Sequence, residues 1–89
     1  MSVYSISYDL HDPGQDYEEL YEEIKDLGAW WHHLESTWLV DTSSTSSEIV
    51  DELSPHLDSN DELLVTRLSG SWASWGIDDS GNNWLHEHL

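Results

Sequence analysis

Asp9 and His11 are the residues of this chain best suited to chemistry. Asp9 ends an alternating segment and is separated by Leu10 from the breaker run His11-Asp12-Pro13-Gly14. Proteins hold Mg²⁺ through one or two carboxylates plus waters, and the ion can promote phosphodiester hydrolysis. His11 is close enough in sequence to serve as the general base. The alternative is a structural role, in which the Asp9 carboxylate accepts backbone hydrogen bonds from this turn.

The remaining histidines and the tryptophans carry weaker signals. None of the six histidines has the spacing of a dedicated zinc site, and the chain has no cysteine. His86-Glu87-His88 would share one face only in a strand, whereas its surroundings favour a helix. The six tryptophans are expected in the core and at an interface. Stacking on bases normally requires a positive groove, for which two cations do not suffice.

The charge balance is extreme, with two basic residues against nineteen acidic ones and a formal charge of −17. A disordered acidic chain disagrees with the aromatic content and the clear periodicity. Two explanations of the acidic composition remain, namely mimicry of nucleic-acid charge and adaptation to molar salt. Because the acids are spread along the whole chain, the salt-accumulating cytoplasm of a halophilic organism is favoured, and nucleic-acid binding is disfavoured. Neither a secretory signal nor a membrane span is expected, since the apolar runs are short.

Hydrophobic periodicity predicts four strands and two helices in the order βαββαβ. Tyr4, Ile6 and Tyr8 alternate with smaller polar residues, which is typical of a strand with one buried face. A capping box at Thr45 and Glu48 starts the second helix. In chain order the predicted elements are strand 3–8, helix 17–27, strands 30–34 and 37–42, helix 46–54 and strand 62–68.

This order predicts an α+β ferredoxin-like domain at residues 1–68, with a four-stranded antiparallel sheet and two helices on one face. Residues 69–89 form a C-terminal extension that covers a dimer or makes a short helix at 82–89. The other sheet face would carry Val3, Ser5, Ser7 and Asp9. A chain of this length buries a modest fraction of its surface, so a homodimer that buries that face or the edge strands is expected.

Several short runs resemble a known group of proteins. The chain resembles the small proteins named SinR-like, and more distantly the CRISPR-associated Cas-two proteins and the virulence-associated VapD proteins. The runs that carry this resemblance stand at Ser7–Leu10, Pro13–Tyr17, Trp30–His32, Ser36–Trp38 and Pro55–Asp58.

The resemblance implies a ferredoxin-like homodimer in which Asp9 and its dimer mate hold a divalent metal for phosphodiester cleavage. The basic residues that usually follow the Tyr-Asp motif are replaced here by His11, Asp12, Pro13 and Gly14. Two alternative functions are therefore predicted. One is a homodimeric accessory protein of nucleic-acid metabolism or defence, with Mg²⁺-dependent endonuclease-like or endoribonuclease-like chemistry at Asp9. The other is a non-enzymatic acidic scaffold or adaptor that docks a larger protein through its acidic surface and tryptophan-bearing tail.

Overall fold

The computed structural model describes residues 1–11 and 16–89, so most of the turn predicted at His11-Asp12-Pro13-Gly14 lies outside the described residues. The described part is a small α+β structure with a four-stranded antiparallel sheet and three helices. In chain order the elements are β1 (Ser2–Asp9), α1 (Glu18–Asp26), β2 (Ala29–Leu34), β3 (Thr37–Thr42), α2 (Ser46–Leu53), a 3-10 turn (Ser54–His56), β4 (Glu62–Arg67) and α3 (Asp79–His88).

Local sequence signals explain how the helices begin and end. Asp16 Oδ1 accepts the N–H of Glu18 at 2.9 Å, which satisfies one free amide at the start of α1. In α2 the capping box is confirmed, with Thr45 and Glu48 each accepting the backbone N–H of the other. These bonds lower the pKa of the Glu48 carboxyl. Pro55 follows α2 in a 3-10 turn, because proline cannot continue the α-helical hydrogen bonding.

β1 lies inside the sheet, antiparallel to β3 on one side and to β4 on the other. β2 pairs with the far side of β3, which gives the strand order β2-β3-β1-β4. Gly28 joins α1 to β2 at a point where no side chain fits, because a Cβ there would collide with the carbonyl oxygen of Asp41.

The main core lies between one face of the sheet and helices α1 and α2. The predicted alternation of β1 is confirmed, since Tyr4, Ile6 and Tyr8 all face this core. Trp38 fills its centre, and its indole N–H donates to the Tyr8 hydroxyl at 3.0 Å. The other buried members are Leu20, Ile24, Val40, Ile49 and Leu53.

A second, smaller core lies on the opposite face of the sheet, under α3. Val3, which was expected on an uncovered face, is only 5% exposed because it packs with Trp31, Leu39 and Leu85 of the same chain. The Trp31 indole N–H also donates to the carbonyl oxygen of Gly81 at 3.1 Å. The helix expected at 82–89 therefore begins earlier, at Asp79, and covers the part of this face that carries Val3.

Some apolar side chains remain outside both cores. Leu64, on the part of this face that α3 does not reach, is 66% exposed, and Trp75 in the segment before α3 is 96% exposed. Within residues 1–11 and 16–89, none of the helices has the length and apolar character needed to cross a bilayer.

Candidate functional site

The structure places Asp9 at the end of β1, directly opposite Glu62 at the start of β4. Both side chains are exposed. Like charges that face each other across two strands destabilise the pair. A positive group between the two carboxylates would relieve this repulsion.

The position of His11 is fixed by two carboxylates of the β4 region. Its backbone N–H donates to Asp61 Oδ1 at 2.8 Å, and its ring Nε2 donates to Glu62 Oε1 at 3.0 Å. The N–H of His11 is therefore bound by Asp61 and not by Asp9. The structural role considered for Asp9 was to accept backbone hydrogen bonds from the turn that follows it. The rest of that turn, residues 12–14, lies outside the described residues.

Asp9, His11 and Glu62 form a group in which one ligand atom from each residue lies within 4.8 Å of the other two. Within residues 1–11 and 16–89 this is the one set of three metal-ligating side chains that comes so close. Metal–oxygen bonds of about 2.1 Å put two ligand atoms at most about 4.2 Å apart. Separations within 4.8 Å are close to this limit, so rotation of the exposed side chains is enough to bring the three atoms around one ion. His11 Nε2 would then bind the ion without its proton, in place of its hydrogen bond to Glu62.

Asp61 holds His11 and Tyr17 beside the start of β4. Besides the N–H of His11, its carboxylate accepts the Tyr17 hydroxyl at 2.9 and 3.0 Å and the N–H of Asp58 at 2.8 Å. These donors, the His11 amide first among them, lower the pKa of the Asp61 carboxyl. Asp61 thus positions His11 beside Glu62 without belonging to the candidate ligand set.

This lowered pKa predicts a contribution to acid stability that Asp61→Asn should remove. The ionised form is favoured in the folded state, so its contribution is complete above the unfolded pKa of about 3.9 and is lost as the pH falls through the folded pKa. We expect Asp61→Asn to lower the melting temperature by several degrees at neutral pH. We also expect it to flatten the decline of the melting temperature below about pH 4. Thermal melts by circular dichroism across this range measure both effects.

Asp51→Asn is the matched control, because Asp51 is an exposed carboxylate on α2. It removes the same charge and should leave the melting curves close to those of the wild type. Parallel pH profiles for the wild type and Asp61→Asn would show that the Asp61 hydrogen bonds do not stabilise the fold.

Two shallow clefts meet at Asp9. One, of about 320 Å³, runs along β1 and β4 and is lined by Ser7, Asp9, Glu62 and Leu64 among others. The other, of about 290 Å³, lies on the side of His11 and Tyr21. A substrate bound in either cleft would reach the Asp9 carboxylate.

Three of the other histidines contact carboxylates away from this site. His56 lies 3.5 Å from Glu19 and 4.0 Å from Glu23, between the two helices of the main core. His33 lies 3.6 Å from Asp78, and His88 donates to Asp41 at 2.8 Å. His86 contacts the ring of Trp72, with the ring centres 5.1 Å apart. His86 and His88 lie on α3, where positions i and i+2 point in different directions.

Glu62 and Asp61 are the functional candidates that sequence reasoning missed. Asp61 lies just before the strand predicted at 62–68, and Glu62 had been predicted only as the first residue of that strand. The pairing of β1 with β4 would have placed Glu62 beside Asp9, provided that the register was known. No protein-family model matches this chain, and no solved structure matches it either.

Proposed function

We propose that this protein is a homodimeric accessory protein of nucleic-acid metabolism or defence, of the SinR-like and Cas-two-like kind, that binds a divalent cation through Asp9, His11 and Glu62. The observation that carries the proposal is the convergence of these three side chains at the end of β1. Glu62 and His11 extend a ligand set that began with Asp9 alone.

The strand order supports the ferredoxin-like part of this proposal. β3 lies between β1 and β2, and β1 lies between β3 and β4. Each strand–helix–strand unit is therefore split by one strand of the other unit, which is the defining feature of the split βαβ arrangement. The third helix is an addition to that arrangement.

The ligand chemistry favours a cation that accepts both oxygen and nitrogen. Two carboxylates suit Mg²⁺ or Mn²⁺, and the imidazole of His11 widens the choice to Zn²⁺ and other transition metals. Such an ion would supply Lewis-acid activation of water or of a phosphate oxygen. When His11 Nε2 is a ligand it cannot also accept a proton, so the role of general base passes to another group.

The surface charge supports a salt-accumulating cytoplasm as the setting. Lys25, one of the two basic side chains, already lies 3.7 Å from Glu22 and 5.2 Å from the ring centre of Trp30. The acidic surface would repel nucleic-acid phosphate at low salt, and molar salt would screen this repulsion and that between protomers. The homodimer would use the part of the sheet near Ser7 and Leu64 that α3 leaves open.

Titration with Mn²⁺ in molar KCl, followed by calorimetry, tests the cation site. The wild type should bind Mn²⁺, and Asp9→Asn and Glu62→Gln should each weaken binding at least about 10-fold. Loss of residues that only support a metal ligand already costs roughly 10- to 100-fold. Asp51→Asn removes a carboxylate from α2 and should bind like the wild type.

Cleavage of single-stranded and duplex oligonucleotides, assayed in the same buffer with Mg²⁺ and with Mn²⁺, separates an enzyme from a binding protein. The nuclease proposal requires cleavage by the wild type that Asp9→Asn loses. Equal cleavage by both proteins would remove Asp9 from catalysis. Failure of the wild type to bind Mn²⁺ would remove the cation site altogether.

A further inference from the structure

An apolar groove lies on the face of the sheet that carries α3, apart from the candidate cation site. We call it the tail groove; it has a volume of about 310 Å³, and its walls include Trp31, Leu34, Trp72, Trp75, Ile77 and Leu85. This volume is at the lower end of the range for ligand pockets, about 300 to 1,000 Å³, so it suits one or two side chains. Asp9 does not line it.

Trp75 stands at the tail groove almost fully in water, with 96% of its surface exposed. The turn that carries it is nevertheless anchored on both sides by one residue of α3. Ser74 Oγ donates to Asn82 Oδ1 at 2.7 Å, and Asn82 Nδ2 donates to the carbonyl oxygen of Ile77 at 2.9 Å. Gly76 turns the chain between them with a φ of +76°. The exposed indole is therefore presented on a fixed turn, as an interface anchor would be.

Three carboxylates lie next to the wall of the tail groove in the sequence. Glu35 and Asp78 each follow directly on a residue of the groove wall, and Asp79 is the next residue of the chain. All three are exposed. Arg67 precedes the wall residue Leu68, but neither Arg67 nor Lys25 lines the groove. In dilute buffer a second copy of this chain would bring a further charge of −17 to this rim, whereas a basic partner would neutralise it.

We propose that the tail groove binds a basic segment of another protein, one that inserts an apolar side chain between lysines or arginines. The apolar side chain fills the groove beside Trp72 and Ile77. The flanking cations meet the carboxylates of the rim and the face of the Trp75 indole, which attracts cations through its ring electrons. Trp75 is the main anchor, and Asn82 is a positioning residue that holds its turn.

Fluorescence anisotropy with a labelled synthetic peptide in which lysine and leucine alternate tests this proposal across a series of KCl concentrations. The wild type should bind this peptide, and Trp75→Ala should weaken binding at least about 10-fold, as the loss of an interface anchor does. Asn82→Ala keeps the indole but frees its turn, so it should weaken binding to a smaller extent. Trp75 is exposed, so near-ultraviolet circular dichroism should show an unchanged core.

Two control peptides and two control variants make the result specific. A peptide with serine in place of leucine, and one with glutamate in place of lysine, should each bind at least about 10-fold more weakly. Val50→Ala removes an exposed apolar side chain from α2, on the other face of the sheet, and should bind like the wild type. Asp9→Asn should also bind like the wild type, so failure of the cation site does not affect this test.

Three results would overturn the proposal. The first is the absence of peptide binding by the wild type. The second is a lack of specificity: Trp75→Ala binds the peptide as tightly as the wild type does, or the wild type binds the serine or glutamate peptide as tightly as the lysine–leucine peptide. Either outcome would mean general attraction to the acidic or apolar surface. The third is a dimer, measured by light scattering, that Trp75→Ala dissociates, which would assign the groove to a second copy of this chain.

Discussion

Replacing Trp38 by alanine should lower the free energy of unfolding by about 3–5 kcal/mol. Trp38 is 2% exposed and lies at the centre of the main core, where its indole N–H donates to Tyr8. Its ring also contacts Tyr21 and His32, with ring centres 6.0 and 3.8 Å apart. Replacing a buried tryptophan by alanine costs about 3–5 kcal/mol. Small domains are stable by only about 5–15 kcal/mol, so this loss removes between about a fifth and all of the free energy of unfolding.

Urea titration in molar KCl, followed by far-ultraviolet circular dichroism, measures the effect. Trp75→Ala is the matched control, since it removes the same side chain from a position that is 96% exposed. Its free energy of unfolding should stay within about 0.5 kcal/mol of the wild type. Trp38→Phe keeps a ring but loses the donor to Tyr8, and it should fall between the two. Equal stability of Trp38→Ala and Trp75→Ala would contradict the placement of Trp38 in the core.

The features that the sequence predicted correctly depend on neighbouring residues. The alternation of Tyr4, Ile6 and Tyr8 is a property of one strand, and it identifies the buried face without knowledge of the partner strands. The capping box of Thr45 and Glu48 spans four residues and forms as predicted. In both cases the interacting groups, or the period that reveals them, lie within one element.

The features that the sequence did not predict depend on contacts between distant segments. Asp9 and Glu62 become neighbours only through the register of β1 against β4. Gly28 directly follows the helix predicted at 17–27, and the structure requires a glycine there because Asp41 of β3 approaches its backbone. Neither the register nor the approach leaves a local pattern. The candidate site could therefore be predicted at Asp9 and His11, which adjoin one strand, but not at Asp61 and Glu62.

The second core is the clearest case of this kind. Trp72, Ile77, Trp84 and Leu85 follow no long helical or strand period, so residues 69–89 had been treated as an extension to a domain ending at residue 68. In the structure these side chains cover the part of a sheet face that carries Val3 and Leu39. A chain this short gains burial from its own C-terminal segment as well as from any partner.

Removing residues 69–89 should therefore abolish the folded monomer. Truncation exposes Val3, Trp31 and Leu39, which are 5%, 4% and 8% exposed in the full chain. Each buried side chain of this size contributes about 1.5–3 kcal/mol, so together they account for roughly 5–9 kcal/mol, comparable with the whole stability of a small domain. The truncated chain also loses the hydrogen bond from Trp31 to Gly81 and the one from His88 to Asp41.

Light scattering coupled to size exclusion, with binding of a hydrophobic dye, measures the outcome. The chain ending at residue 68 should self-associate and bind the dye, because the uncovered face has no other apolar surface to contact. Leu85→Ala in the full-length chain is the milder variant; it should cost about 2–5 kcal/mol and keep the helix attached. A truncated chain that stays monomeric and unfolds at the urea midpoint of the wild type would show that α3 does not stabilise the sheet. Assembly of the truncated chain into one stable dimer would show that α3 occupies the place where a second sheet can pack.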